Sequence, residues 1–426
     1  MLSSLFVSNF RSILELKLDF TYAEGKAPNG YQGREILPFL EAGKLRLIPC
    51  LAFFGANASG KSNVLKAMGR VLQMVLRGLP PKEAFEPNLL NPKFADTTFE
   101  LEFLIGTERF VFKVVYNGAE ILDESLCKDG KVLYSVQRLQ REFSRQIVSA
   151  SYPEEKLADI LKVECSDGQG RQIRTFLHRI GLNYSGLHVD LKNAFDFFKD
   201  RLRFNGNEGN VLLPVAVEIL ASTLNGDEKA ALQEITDVVR RLDIDIAAID
   251  ITKTDLGPTE NRMGLLRIHQ ATGVRQAIQI NTSHKDVEGR LTLLDFIKHE
   301  SAGTQRLAGL VGLILHALKT GGVLLIDELE CSLHPLLLRE ILLMFKKRRH
   351  NPNGAQLIVT THNTDILDDS ILRVSEIALV KKTTANGTLV RRLVDAKNDG
   401  EDIRNVTNFR RQYLAGFYSS VPHPAL

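Results

Sequence analysis

The sequence predicts an α/β fold built on a mixed β-sheet, with an antiparallel β lobe in its N-terminal part and a mainly helical insert. An apolar run at residues 47–54 leads into a glycine-rich octamer and then into a helical pattern at residues 63–76. Apolar and polar residues alternate between positions 97 and 134, which is typical of antiparallel strands with one buried face. Residues 296–426 return to alternating helix and strand patterns, which indicates parallel pairing.

The octamer at residues 55–62 matches the phosphate-binding pattern G-x-x-x-x-G-K-[ST] at every fixed position. Glycines let backbone amides curl around phosphate groups, and the following helix points its positive end at the same place. The lysine supplies a cation for the terminal phosphates, and the final serine hydroxyl is placed to hold Mg²⁺. The residues predicted to bind nucleotide here are Gly55, Asn57, Ala58, Ser59, Gly60, Lys61 and Ser62.

A second strand pattern, at residues 322–328, ends in two carboxylates, Asp327 and Glu328. The carboxyl ends of parallel strands face the ligand crevice. We therefore expect Asp327 to hold Mg²⁺ together with Ser62, and Glu328 to orient or deprotonate an attacking water. Taken alone, an acidic strand end would fit a helix cap equally well, and the octamer favours the metal site.

Two further elements belong to the same argument. His362 follows an apolar strand pattern at residues 356–361, one strand–helix–strand crossover beyond Glu328, and is predicted to contact the γ-phosphate or the attacking water. Ser301 and Gly303 form a small-residue turn that enters a helix pattern at residues 303–319. Such a turn is either an anion site or an ordinary N-cap, and by itself the cap is the simpler interpretation.

The order of these elements resembles that of ABC-type ATPases. The resemblance implies that Lys61 and Ser62 belong to the Walker A motif, Asp327 and Glu328 to the Walker B motif, and His362 to the switch position. It also implies that the signature motif, Ser301 and Gly303, binds the γ-phosphate of ATP held by a partner subunit. The sequence reads Ser-Ala-Gly-Thr-Gln here instead of the commoner Ser-Gly-Gly-Gln, which puts the strength of that contact in question.

Residues 327–335, which read DELECSLHP, and residues 9–13, which read NFRSI, are closer to soluble RecF-like, SMC-like and OLD-like members than to transporter subunits. This N-terminal resemblance adds Arg11 to the predicted nucleotide-binding residues. The tail at residues 413–418, with Pro422, resembles that of RloA/AbiL-type ATPases of anti-phage defence loci. That resemblance implies a separate effector protein, a nuclease or a toxin, as partner.

Three domains are predicted: the N-terminal part of the ATPase head at residues 1–136, the insert at 137–295, and the C-terminal part of the head at 296–426. No Q-loop residue can be assigned, and the candidates are Gln137, Gln140 and Gln146. The residues after His362 are too few for the Toprim nuclease domain of OLD-type proteins. The acidic residues there, Asp365, Asp368 and Asp369, are predicted to be turn and helix-end residues, and nuclease activity is not expected.

Composition narrows the classes of function. The formal net charge of +3 gives no global argument for binding nucleic acid, so DNA stays possible without being indicated. Four widely spaced cysteines favour neither a disulfide framework nor a zinc site, and with no signal peptide or membrane span visible we expect a cytoplasmic protein. Basic residues 346–350 are predicted to be a solvated helix end, and the three phenylalanines Phe195, Phe197 and Phe198 to be core.

The sequence therefore predicts a Mg²⁺-dependent ATPase in which two copies of the chain sandwich two ATP molecules and thereby control an effector. One alternative is a RecF-like repair ATPase that binds duplex DNA directly, which predicts salt-sensitive DNA binding. Another is a nucleotide-gated scaffold that sequesters a toxin and scarcely turns over ATP. A transporter subunit fits the insert and the LHP segment poorly.

Overall fold

The computed structural model describes residues 1–22, 40–42, 44–90, 95–138, 145–149, 153–183, 188–206, 211–242, 245–256, 265–268, 275–368, 370–395 and 409–416. Gln140, Asp369 and the tail residues from 417 onward, which entered the predictions above, lie outside these ranges.

The strands are β1 (Leu2–Phe10), β2 (Ile13–Asp19), β3 (Leu40–Ala42), β4 (Leu45–Leu47), β5 (Cys50–Phe54), β6 (Thr97–Ile105), β7 (Glu108–Tyr116), β8 (Ile121–Lys128), β9 (Lys131–Arg138), β10 (Arg145–Ser149), β11 (Leu202–Asn205), β12 (Ala248–Leu256), β13 (Leu265–Ile268), β14 (Arg275–Lys285), β15 (Leu291–Asp295), β16 (Val323–Ile326), β17 (Gln356–Thr360), β18 (Ile377–Thr383) and β19 (Gly387–Arg392).

The α-helices are α1 (Lys61–Arg77), α2 (Pro81–Ala84), α3 (Glu154–Ile160), α4 (Phe176–Asn183), α5 (Val189–Asp196), α6 (Leu213–Ala221), α7 (Glu228–Arg241), α8 (Phe296–His299), α9 (Ala302–Thr320), α10 (Pro335–Lys346) and α11 (Phe409–Leu414). The π-helical turns are Leu161–Cys165 and Phe197–Arg201, and the 3-10 turns are Thr364–Ile366 and Val374–Glu376.

The main sheet has thirteen strands within the described ranges, in the order β10-β9-β8-β7-β6-β1-β2-β19-β18-β5-β17-β16-β11. The strands from β18 to β11 pair in parallel, whereas those from β10 to β2 pair antiparallel. The two parts meet where β19 pairs with β2 at one position, Gly387 opposite Ile13. The mixed sheet with an antiparallel N-terminal part is therefore present as predicted.

The burial of the strands differs between the parallel and the antiparallel part of the main sheet. β5, β16 and β17 are buried at every residue, as expected for parallel strands covered on both faces. β6 and β7 alternate between buried and partly exposed residues, which is the pattern of an antiparallel strand with one covered face. The periodicity of the sequence thus follows the layering of the sheet.

The chain forms two compact units. The first comprises residues 1–207, 320–330 and 338–426 and contains the main sheet. The second comprises residues 208–319 and 331–337, with α6 to α8, nearly all of α9, and the antiparallel sheet of β12 to β15. These limits differ from the predicted insert at 137–295, because β10 and β11 extend the main sheet.

Aromatic packing explains why residues near position 197 belong to the first unit. Phe197 stacks on Phe103 of β6 with ring centroids 4.1 Å apart, and Phe198 packs edge-on against Phe112 of β7 at 5.6 Å. Together with Phe195 they are buried, as predicted for core residues, although the core is that of the main sheet. Across the described ranges, every helix is too short or too polar to cross a membrane.

Candidate nucleotide-binding site

The phosphate loop connects β5 to α1 and holds a backbone shape that its glycines allow. Gly60 has a φ of 101°, and a Cβ there would lie 2.0 Å from Oγ1 of Thr388. A Cβ on Gly55 would lie 2.2 Å from the carbonyl oxygen of Val380. Ala58 also takes a left-handed conformation, with a φ of 59°. Both pattern glycines are therefore required by close approach of neighbouring strands as well as by loop geometry.

Two hydroxyl residues far away in sequence support the loop from β19 and the β1–β2 turn. Oγ1 of Thr388 donates to the carbonyl oxygen of Ser59 at 3.1 Å, and lies 2.6 Å from Oγ of Ser12. Nδ2 of Asn63 donates to the same Ser12 hydroxyl at 2.6 Å. Neither residue was predicted from the sequence. Ser12 lies inside the NFRSI segment but was given no role, and no motif surrounds Thr388.

Lys61 is folded back over the loop. Its ammonium donates to the carbonyl oxygens of Gly55 at 2.9 Å and Ala56 at 3.0 Å. Burial lowers the pKa of Lys61 to about 8, against the opposing effect of the carboxylates Glu330, Asp327 and Glu328. The cation thus rests on two neutral acceptors, which a phosphate group can replace with a stronger charge-assisted bond.

The rest of the octamer suits a phosphate ligand. The Ser59 hydroxyl is buried and has no hydrogen-bond partner among the described residues, so it has a donor to offer. Asn57 and Ala58 are exposed at the loop, and Ser62 is half-buried at the first turn of α1. This donor set fits the triphosphate expected from the sequence.

The strand-end carboxylates are held by β17. Asp327 is buried, and its Oδ1 accepts a bond of 2.6 Å from the Thr360 hydroxyl. The same hydroxyl accepts a bond of 2.8 Å from the backbone N–H of Glu328, which has a φ of 51°. The hydroxyl of Ser62 and the carboxylate of Asp327 are hard oxygen ligands, as Mg²⁺ requires. These residues fit the predicted magnesium site.

His362 joins the same cluster. Its backbone N–H donates to Oε1 of Glu330 at 2.5 Å. Partial burial and the positive charge of Lys61 lower the pKa of His362, while Glu330, Glu328 and Asp327 act in the opposite direction. Lys61 begins α1, the helix that follows β5, and β5, β17 and β16 are neighbouring parallel strands, so these charged groups lie at the same edge of the sheet. Glu330 was not predicted as a site residue, although it stands only two residues after Glu328.

The predicted signature turn lies in the second unit. The Ser301 hydroxyl accepts a bond of 3.1 Å from the N–H of Thr304 and caps α9. A Cβ on Gly303 would lie 2.4 Å from the carbonyl oxygen of Ser332, so only glycine fits there. The Gln305 side chain donates to the carbonyl oxygens of Ile297 and Glu300 at 3.1 and 3.0 Å. The N-cap is present, and the trans contact with nucleotide stays a prediction.

Arg11 lies in the β1–β2 turn with a φ of 51° and forms an ion pair with Glu86, in which Nη2 and Oε1 are 3.1 Å apart. Its role in nucleotide binding also stays a prediction. Of the Q-loop candidates, Gln137 pairs with Gln146 between β9 and β10, and seven strands separate β9 from β5. Neither glutamine is therefore assigned to the site.

Comparison with known proteins supports an ATPase domain. A family model described as "AAA domain, putative AbiEii toxin, Type IV TA system" matches residues 177–368, just under half of the chain. Among solved structures, the chain is similar to the SMC head domain from Thermotoga maritima, with 14% sequence identity and a TM-score of 0.41, over 92% of this chain and 98% of that one. A search of curated proteins finds no match.

The family match covers the residues predicted as signature turn, Walker B pair and switch histidine, namely Ser301, Gly303, Asp327, Glu328 and His362, and it does not include the phosphate loop. Together with the sheet topology, it confirms the predicted fold class to this extent: an α/β fold with a large mixed sheet that carries an ATPase domain. The chain carries an ATPase-family, nucleotide-binding domain.

Proposed function

We propose that this protein binds and hydrolyses ATP with Mg²⁺ and that the nucleotide switches it between two states. The observation that carries the proposal is the placement of Lys61, Asp327, Glu328 and His362 at one edge of the sheet, where α1 follows β5 and where its neighbours β17 and β16 end. A cation, two carboxylates and an imidazole beside a phosphate loop are the groups that phosphoryl transfer to water uses.

Each residue has a part in the proposed reaction. Lys61 leaves its two carbonyl acceptors for the terminal phosphates, while the loop amides bind the remaining phosphate oxygens. Ser62 and Asp327 would hold Mg²⁺, which neutralises charge on the phosphates. Glu328 orients the attacking water and accepts its proton, and His362 donates to the γ-phosphate or the water. Arg11 is proposed to contact nucleotide from the β1–β2 turn.

We further propose that the active state is a dimer in which two ATP molecules are sandwiched. In that state Ser301 and Gly303 of the partner subunit would complete each pocket, as the resemblance to ABC-type ATPases implies. Dimerisation would present or withdraw a surface for a separate effector, a nuclease or toxin in anti-phage defence. ATP then acts as the ligand that distinguishes the two states, as any such switch requires.

The test is ATP binding and hydrolysis by purified protein. The wild type is expected to bind ATP and release phosphate steadily in Mg²⁺. Lys61→Ala should lose ATP affinity by at least about tenfold, because the terminal phosphates lose their cation. Glu328→Gln should retain ATP and lose turnover by about a hundredfold or more, because an amide cannot accept the water proton.

Lys82→Ala is the matched control, since Lys82 is an exposed lysine on α2. It should bind and hydrolyse ATP as the wild type does. Wild-type protein that takes up no ATP, or Lys61→Ala protein that binds it normally, would contradict the proposal.

The same assay tests the scaffold alternative. In that alternative the nucleotide stabilises a complex with a toxin and is hardly consumed. Binding of one ATP per chain without steady phosphate release, in wild-type protein, would favour the scaffold over the ATPase switch.

A further inference from the structure

Glu330 is a third carboxylate at the site, and neither the motif pattern nor the proposed reaction gives it a task. It follows the Walker B pair, yet its Oε1 accepts the backbone N–H of His362 at 2.5 Å. One side chain thus connects the segment after β16 to the segment after β17, next to the proposed catalytic residues.

The backbone turn at Glu328 makes this connection possible. Its left-handed φ of 51° redirects the chain immediately after the buried Asp327. Leu329 then donates its N–H to the carbonyl oxygen of Thr360 at 3.1 Å, and Glu330 accepts the N–H of His362, two residues after the end of β17. A non-glycine residue in this conformation is strained, and its persistence indicates that the positions after it matter.

The second carboxylate oxygen points to more than a structural bond. Oε2 of Glu330 is buried and has no hydrogen-bond partner among the described residues. Glu330 as a whole is half-buried, and a carboxylate oxygen that is buried without a hydrogen-bond partner is costly to keep unless its position serves the site.

We propose that Glu330 is a positioning residue for ATP hydrolysis, which holds the backbone at His362 so that the imidazole stays in reach of the γ-phosphate. The inference rests on the proposed function and adds to it a residue that acts through another. The hydrogen bond requires only an acceptor oxygen, so an amide at position 330 should preserve it and a methyl group should not.

The experiment compares Glu330→Ala and Glu330→Gln in the full chain, alone and combined with His362→Ala. Glu330→Ala should lower kcat about tenfold or more, with KM and ATP affinity within about twofold of wild type. Glu330→Gln should stay within about threefold of the wild-type kcat. In the His362→Ala background, Glu330→Ala should add less than about twofold, because both changes remove the same contribution.

Amide hydrogen exchange at His362 gives a readout that needs no turnover. Exchange there should become faster in Glu330→Ala and remain slow in Glu330→Gln. Unchanged exchange in Glu330→Ala, full activity of that variant, multiplicative losses with His362→Ala, or a Gln variant as slow as the Ala variant would each overturn the positioning role. Wild-type protein that binds ATP without turning it over would contradict only the proposed function.

Discussion

Gly60 occupies the tightest point of the phosphate loop. Its φ of 101° is rarely open to other residues, and Oγ1 of Thr388 fills the space where a Cβ would stand. Thr388 in turn donates to Ser59. The loop shape therefore depends on a strand more than three hundred residues away in sequence as well as on the octamer itself.

Gly60→Ala should lower the free energy of unfolding more than the same change at a glycine without a close neighbour. Gly106 offers the comparison, since its φ is also positive, at 63°, and no atom lies within 4 Å of its Cβ position. We expect Gly106→Ala to lower the free energy of unfolding by about 1 kcal/mol and Gly60→Ala to lower it by at least about twice as much. Denaturant unfolding without nucleotide measures both losses. Equal losses at the two sites would contradict the close approach of Thr388.

The individual site residues differ in how far the sequence could predict them. The octamer, Asp327 and His362 could be predicted because each stands in, or directly after, a locally readable strand pattern. Glu330 could not, because its place beside His362 depends on the left-handed turn at Glu328, which no residue type there announces. Thr388 could not, because its contact with the loop is set by the pairing of β19 with β2.

Helix α4 begins at a buried carboxylate. Glu124 of β8 accepts the N–H groups of Phe176 at 2.7 Å and Leu177 at 3.0 Å, which are first-turn donors of the helix. It also accepts bonds of 2.8 Å from Tyr134 and from Gln172. One side chain thus fixes α4 to the antiparallel part of the sheet.

Glu124→Ala should lower the free energy of unfolding by about 3 kcal/mol or more, because four buried donors lose their acceptor. Denaturant unfolding of the whole chain measures the change. Glu108→Ala is the control: Glu108 is 41% exposed and pairs with Lys128, so its loss should stay below about 1 kcal/mol. A Glu124→Ala variant as stable as the control would show that α4 is not held by this carboxylate.

His178 of α4 makes a pH prediction. Its Nδ1 lies 2.9 Å from the carbonyl oxygen of Val75, and burial lowers its pKa from 6.5. The unfolded chain therefore takes up the proton more readily than the folded one, and stability should fall as pH falls below about 6.5.

We expect His178 to contribute at most about 1.4 kcal/mol per pH unit to the slope of the free energy of unfolding against pH. This contribution is measured as the difference between wild type and His178→Gln, by denaturant unfolding from pH 7.5 to 5. The variant should lose less stability than the wild type over the acid part of this range. Identical pH profiles would show that His178 does not titrate differently on folding.

Helices and strands could be predicted where the burial of one face gives the sequence a regular spacing of apolar residues. The strands around positions 50, 323 and 357, the helices α1 and α9 and the β6–β9 block lie close to the predicted positions. β11 could not be predicted, because four residues inside a helix-rich stretch carry too short a pattern. It nevertheless pairs with β16, and Asn205 accepts the N–H of Asp327 at 3.0 Å.

The proposed ATP-sandwiched dimer is a prediction about the whole molecule. Its test must separate a contact of Ser301 with nucleotide from the role of Ser301 as the N-cap of α9. In a Glu328→Gln background, ATP should convert monomer to dimer, and Ser301→Ala should weaken that dimer by about tenfold or more. Sizing by light scattering with and without ATP measures the effect. Persistent monomer in Glu328→Gln with saturating ATP would refute the sandwich.

Asp227→Ala is the matched control for lost capping. Asp227 caps α7 of the same unit, accepting the N–H of Ala230 at 3.0 Å, so its removal should lower stability about as much as Ser301→Ala does, roughly 1 kcal/mol. It should leave the ATP-dependent dimer intact. If both variants weakened the dimer equally, the role of Ser301 would reduce to capping.

Among the described residues, the main sheet has its fewest register pairs at the junction between β2 and β19. Gly387 and Ile13 form the one register pair there, and the adjacent bond runs from the N–H of Thr388 to the carbonyl oxygen of Ser12 at 2.7 Å. Hydrogen bonds hold neighbouring strands together, so we expect the described part of the sheet to bend most easily at this junction. Thr388 also donates to Ser59, and Ser12 lies within hydrogen-bond distance of Thr388 and Asn63. We therefore expect a displacement of the phosphate loop to reach the antiparallel part of the sheet through this junction.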